Sequence, residues 1–219
     1  MSEPLAYRLG EWDFYNITLK VTPDVLIPRP DSEHVVDVAL EYLKNRPGER
    51  RLLDLCCGSG CIGLAVAANR PGVLAVYGDI SEAALAVARS NGCADARILD
   101  ALQSPPPELY HFFDILVCNP PYIAPGDGAL DASVRDWEPS IALYGGEDGQ
   151  AFYRSLLPDW LAVLKPEGLF AAEVGYDQAE TVAAMARDSG LLDVKVRKDY
   201  AGHDRVVYGI KINEERCHG

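Results

Sequence analysis

The chain has 219 residues, 48% of them apolar, and its 33 acidic against 20 basic residues give a formal charge of −13 and a pI of about 4.7. That length and apolar share suit one α/β domain with a full core, and no Lys/Arg block tracks a phosphate backbone, which excludes free nucleic acid as a partner. No stretch approaches the ~20 apolar residues of a membrane span and the N-terminus lacks a signal-peptide pattern, so a cytoplasmic protein is expected.

In chain order, Trp12, Phe14 and Tyr15 followed by alternating Leu19 and Val21 predict a β-hairpin, which runs into the turn Pro28-Arg29-Pro30. Residues 1–30 are read as a leader and 31–219 as the main domain. Asp31-Ser32-Glu33 supply capping residues for a helix carried by Val35, Val36, Val38, Ala39, Leu40 and Leu43. From Arg51 strands and helices alternate: strand 52–55, helix 62–69, strand 73–77, helix 81–91 with Ser81 as its cap, and strand 97–99. Such alternation implies a parallel sheet.

After Pro105-Pro106-Pro107 an apolar strand, Asp114 to Cys118, leads into Asn119-Pro120-Pro121-Tyr122, and a Gly/Asp/Pro-rich connection of a functional length fills 123–149. Helix 152–164, strand 168–174, helix 178–187 and strands 194–197 and 205–212 complete the chain. The last two strands have no helix between them and are expected to pair antiparallel. The six cysteines (56, 57, 61, 93, 118 and 217) form no C-x-x-C pair, so reduced thiols and no metal site are expected. Cys217-His218 reads as a disordered polar tail.

Two places carry chemistry. Gly58, Gly60 and Gly63 lie between a strand and a helix, where glycines let a ligand approach the backbone, and Asp79 follows the next strand, placed to accept from ribose hydroxyls. This pairing points to an adenosine-containing cofactor, with a dinucleotide and S-adenosylmethionine both open. Further on, Pro120 and Pro121 cannot continue a sheet, and the Asn119 side-chain oxygen with the Pro120 carbonyl would accept both hydrogens of a planar NH2 group.

The chain resembles the class I S-adenosylmethionine-dependent methyltransferases, and within them the release-factor glutamine methyltransferases of the HemK/PrmC type. The likeness rests on Val25 to Glu33, the Asp54 to Gly60 turn, Asp79-Ile80-Ser81, Asn119 to Tyr122, Val134 to Pro139, Gly145 to Gly149, Glu173-Val174-Gly175 and Asp204-Arg205-Val206. It implies a Rossmann-like methyltransferase sheet, mostly parallel with an antiparallel last strand and preceded by the hairpin. It further implies S-adenosylmethionine held by Cys56, Cys57, Gly58, Ser59, Gly60, Asp79 and Ile80, with Asp100 and Ala101 near the adenine and Asn119 at the boundary with the acceptor.

Asn119, Pro120, Pro121 and Tyr122 would hold the acceptor, with Asn119, Pro120 and Tyr122 as the catalytic set and Tyr122 packed on the planar amide. The implied reaction is N5-methylation of a protein glutamine, the one in the Gly-Gly-Gln loop of bacterial peptide-chain release factors. The partner is then a release factor, and a monomer is expected. Adenine-N6 methyltransferases share Asn-Pro-Pro-Tyr and are the alternative, along with a non-catalytic S-adenosylmethionine-binding module. Three departures from the family pattern stand out: Cys56-Cys57 in place of Gly-Thr, Ala101 where some members have an aromatic, and no counterpart of the usual N-terminal helical domain ahead of the hairpin.

Overall fold

The computed structural model describes residues 2–128 and 130–212. The leader begins with helix α1 (Leu5–Leu9), absent from the sequence-based expectation, and continues into the expected hairpin, β1 (Glu11–Phe14) with β2 (Ile17–Lys20). Then come α2 (Glu33–Leu43), β3 (Arg50–Leu55), α3 (Cys61–Asn69), β4 (Val73–Asp79), α4 (Glu82–Ser90), β5 (Ala96–Ile98) and β6 (Phe113–Cys118). The chain closes with α5 (Ala132–Trp137), α6 (Ala151–Asp159), β7 (Leu164–Glu173), α7 (Ala179–Asp188), β8 (Leu191–Lys198) and β9 (Asp204–Lys211). Cys217-His218 lies outside the described residues. Among those described, no helix is long and apolar enough to cross a membrane.

Seven strands form one sheet in the order β5-β4-β3-β6-β7-β9-β8, parallel from β5 through β7 and antiparallel at β9 and β8. β6 shows why its sequence is continuously apolar: Ile115 and Val117 enter the core on the α2/α3 face, whereas Phe113, Leu116 and Cys118 enter the core on the α6/α7 face. A strand buried on both faces has no polar register to offer, and each such side chain contributes ~1.5–3 kcal/mol. The chain leaves β3 toward β4 and β5 and returns on the other side of β3 through β6, which places a crevice beyond the carboxyl ends of β3 and β6.

The long connection after β6 is less irregular than its composition implies. Asp131 caps α5 by accepting from the Ser133 N–H at 2.7 Å, and the chain then returns to the start of the loop, with Ile123 N–H donating to Leu143 O at 2.9 Å and Gly145 N–H to Ile123 O at 3.0 Å. Gly145 and Gly149 face the backbone of Pro121 and Tyr122 so closely that a Cβ at either position would collide with a carbonyl oxygen there. These glycines let the Gly145–Gly149 segment brace Asn119-Pro120-Pro121-Tyr122 from behind.

Gly149 also has φ +73°, in the region L side chains avoid. Gly149→Ala is therefore expected to lower stability by roughly 1–3 kcal/mol and to reduce activity by displacing Tyr122. Urea denaturation beside a methyl-transfer assay checks both; a variant as stable and active as the parent contradicts this role.

Candidate active site

The crevice holds a cavity of about 240 Å³, lined by Cys56, Gly58, Asp79, Ile80, Asp100 and Asn119 among others. The loop after β3 is shaped by left-handed backbone at Cys56 (φ 59°), Gly58 (φ 53°) and Gly60 (φ 81°). Glycine takes that conformation without penalty, whereas Cys56 takes it with a side chain. Cys57, Ser59 and Gly60 lie outside the cavity lining: Cys57 packs with Tyr77, Leu85, Ala88 and Cys93, and Ser59 is buried. All five described cysteines are free thiols.

Asp79, at the end of β4, accepts from the Gly58 N–H through Oδ2 and from the Ser81 N–H through Oδ1, each at 2.9 Å. Burial raises its pKa, opposed by the N–H groups of Ser81, Gly58 and Ile80. Each oxygen keeps a second lone pair, which suits two adjacent hydroxyls. Asp100 Oδ1 accepts from the Leu102 N–H at 2.9 Å, and α6 and the turn that follows it secure this loop through Ser155 Oγ to Ala101 O (2.8 Å) and Trp160 Nε1 to Gln103 O (2.9 Å). The wall also carries Ile80, Leu99, Leu102 and the ring of Phe152, so an aromatic reaches the cavity despite Ala101.

Among the described residues no Lys, Arg or His lines the cavity, whereas Asp24, Asp79 and Asp100 do. A diphosphate would meet carboxylates and no cation, while a ribose, a flat base and a positively charged sulfonium find acceptors and apolar walls. The residues present fit S-adenosylmethionine, which needs no phosphate contact.

On the acceptor side Asn119 ends a chain of donors. Its Nδ2 donates to Ser32 Oγ at 3.0 Å, Ser32 Oγ donates to Glu173 Oε2 at 2.5 Å, and Tyr122 OH donates to Glu173 Oε1 at 3.0 Å. Glu173 and Ser32 are each 1% exposed. Burial raises the Glu173 pKa, against the two hydroxyl donors and the Arg205 charge, with Asp31 adding to the rise. With both hydroxyl protons committed to the carboxylate, Ser32 Oγ can only accept from Asn119, which assigns the nitrogen to Ser32 and leaves Oδ1 as the amide atom able to accept. Asn119 and Pro121 line the cavity, Pro120 is buried, and Tyr122 stands behind the wall with its hydroxyl on Glu173.

Ser32 is no helix cap here; its hydroxyl is spent on Glu173, and sequence gave only the capping reading. Gln178 braces the loop, taking the Gly175 N–H at 3.0 Å and donating to Tyr122 O at 2.9 Å. Arg29 pairs with Glu138 from the long connection, whose other oxygen accepts the Ile27 N–H at 3.0 Å, while Asp31 faces Arg205 at 3.5 Å. The Arg29–Glu138 clasp holds Asp24, Val25 and Leu26 along one cavity wall and Ile141 and Ala142 along another, none of them flagged as cavity residues by sequence. Asp199 braces the β8–β9 turn through the Ala201 and His203 N–H groups and Arg205.

Fold, cavity and acceptor loop together define a class I methyltransferase. The Methyltransferase small domain model matches residues 32–135. A "Release factor glutamine methyltransferase" of Caulobacter vibrioides is 44% identical over 95% of this chain and 74% of its own length; one of Clostridium acetobutylicum is 38% identical over 95% and 75%. The crystal structure of a release factor-specific protein-(glutamine-N5) methyltransferase from Alicyclobacillus acidocaldarius is 29% identical, covers 89% of this chain and 99% of its own, and superposes with a TM-score of 0.54. The chain belongs to the release factor glutamine methyltransferase family.

Beneath the cofactor loop, Asp54 is buried with Oδ2 accepting from the Gly63 N–H at 2.8 Å and Oδ1 unpartnered. Burial pushes its pKa up to about 8, the Gly63 N–H opposing and Asp79 adding. Since the folded-state value lies above that of an unfolded aspartate, Asp54 favours the folded chain fully at low pH and loses that contribution as pH rises through about 8. Stability measured by urea denaturation from pH 5 to pH 9 should therefore fall more steeply in the parent than in Asp54→Asn. Parallel profiles contradict the assignment.

Proposed function

We propose that the protein transfers a methyl group from S-adenosylmethionine to the side-chain amide nitrogen (N5) of a protein glutamine, the Gly-Gly-Gln glutamine of a peptide-chain release factor. The observation that carries this reading is the orientation of Asn119: its nitrogen is tied to Ser32, so its oxygen serves an NH2 donor. Pro120, two residues beyond the last paired residue of β6, supplies the second acceptor through its carbonyl. The family relatives support an amide acceptor over adenine, and the acidic cavity rim offers nothing to a nucleic-acid backbone.

An amide nitrogen is a weak nucleophile because its lone pair is delocalised into the carbonyl. Asn119 and Pro120, accepting from both N–H bonds, fix the plane of the amide and hold the nitrogen toward the cofactor. Bound S-adenosylmethionine supplies an electrophilic methyl on a sulfonium already activated for transfer. The enzyme's own contribution is placement, which can supply ~7–11 kcal/mol when the reacting atoms are held in line. As the nitrogen is alkylated it becomes acidic enough to lose its proton to water, so no strong base is needed beforehand. Asp79 would hold the ribose and the walls at Ile80, Leu102 and Phe152 would cover the adenine, while Tyr122 supports the Asn119 loop through Glu173.

Asn119→Ala should reduce transfer at least a hundredfold, equivalent to ~2.7 kcal/mol or more, with cofactor affinity by calorimetry changed by less than about threefold. Asp79→Ala should do the reverse, weakening cofactor binding by tenfold or more. Loss of cofactor binding in Asn119→Ala with retained turnover at saturating cofactor would reject this division of labour.

A further inference from the structure

Asn and Gln side chains present a donor on one side and an acceptor on the other, and a half turn about the last bond exchanges them with almost no change in shape. An asparagine used to accept from a substrate NH2 is therefore useful only if something prevents the exchange. In this protein the restraint is buried and made of three groups. Glu173 leaves the sheet at the end of β7, Ser32 comes from the turn before α2, and Asn119 follows β6, so the restraint joins the leader side of the chain to two adjacent strands.

A carboxylate only accepts, so it takes the Ser32 and Tyr122 protons at 2.5 and 3.0 Å. Ser32 Oγ, its proton gone to Glu173, can only accept, and the atom it accepts from is Asn119 Nδ2 at 3.0 Å. Ser32 and Glu173 are each 1% exposed, so water offers no substitute proton or lone pair. A reversed Asn119 would set two oxygens against each other at Ser32 and leave a buried donor requirement unmet.

We propose that Ser32 and Glu173 are positioning residues that lock Asn119 with its oxygen toward the acceptor, and that this lock makes the site select a glutamine amide over a glutamate carboxylate. The inference rests on the glutamine reading above and adds to it the origin of its selectivity. Neither residue touches the acceptor; both act through Asn119. A carboxylate at the acceptor position brings no N–H and faces only the Asn119 oxygen and the Pro120 carbonyl, so it is repelled. Once the lock is gone, Asn119 can rotate and donate its NH2 to that carboxylate.

The experiment compares two ligands, an intact release factor and the same factor with its Gly-Gly-Gln glutamine changed to glutamate, binding to enzyme saturated with S-adenosylhomocysteine so that no turnover occurs. The parent should bind the glutamine form at least tenfold more tightly, ~1.4 kcal/mol. In Ser32→Ala the preference should fall to within about threefold and kcat should drop tenfold or more, because a rotated Asn119 no longer accepts. Ser32→Thr keeps the hydroxyl and should restore both. Ser32→Ala leaves the net charge unchanged, so general repulsion of the glutamate form cancels between parent and variant.

Glu173→Gln should also erode the preference, since its NH2 must turn one of the two hydroxyls from donor into acceptor. Unchanged cofactor affinity and an unchanged unfolding midpoint confirm that each variant is folded. If the parent prefers glutamine and folded Ser32→Ala and Glu173→Gln keep the same preference, the lock is refuted while the glutamine reading stands. If the parent shows no preference and transfers no methyl to the glutamine form, the glutamine reading and the lock both fail.

Discussion

Glu173 is an acidic side chain held in the core with a hydroxyl donor on each oxygen, and that constraint organises the surroundings of Asn119. An isolated buried charge is costly, and it persists where hydrogen bonds and a countercharge compensate it. Ser32 and Tyr122 supply the hydrogen bonds and Arg205 the nearby positive charge. Each compensating group is thereby fixed: Ser32 cannot cap α2, Tyr122 must stand behind the loop, and Arg205 is drawn toward Asp31 and Asp199. The orientation of the Asn119 amide follows from these commitments, through Ser32.

The cofactor half follows a different logic. Here the carboxylates face the cavity, and their partners are backbone N–H groups, which anchor Asp79 and Asp100 without neutralising them. Three aspartates and, among the described residues, no cation line the cavity, a setting that suits a sulfonium better than a phosphate. The two networks meet at Asn119, which donates to Ser32 and also lines the cavity.

Much of this was legible in the sequence because local rules decided it. The strand–helix alternation from Arg51 onward gave the parallel sheet, the abrupt stop at Asn119-Pro120 marked the end of β6, and the glycine turn and Asp79 lie at successive strand ends, with Gly58 and Asp79 lining one cavity. Ser81 acts as the cap expected of it, accepting from the Ala84 N–H at 3.2 Å. What stayed hidden depended on partners distant in sequence. Ser32 and Glu173 are separated by 141 positions and Arg29 and Glu138 by 109, and neither pair has a local signature. Asp31 was the nearer acid for Arg29, yet Glu138 won because it also takes the buried Ile27 N–H. Helix α5 was lost in a loop whose Gly, Asp and Pro content masked a six-residue turn capped by Asp131. Phe152 stood in the sequence only as the start of the helix over 152–164, and the fold brings it to the cavity with Ala101.

The most direct test is to incubate the protein with S-adenosylmethionine and an intact release factor and to map the product by fragmentation mass spectrometry. A single added methyl on the side-chain amide nitrogen of the Gly-Gly-Gln glutamine is the predicted result. No methyl on that residue, with the cofactor demonstrably bound, or a methyl found instead on a different acceptor, would contradict the account.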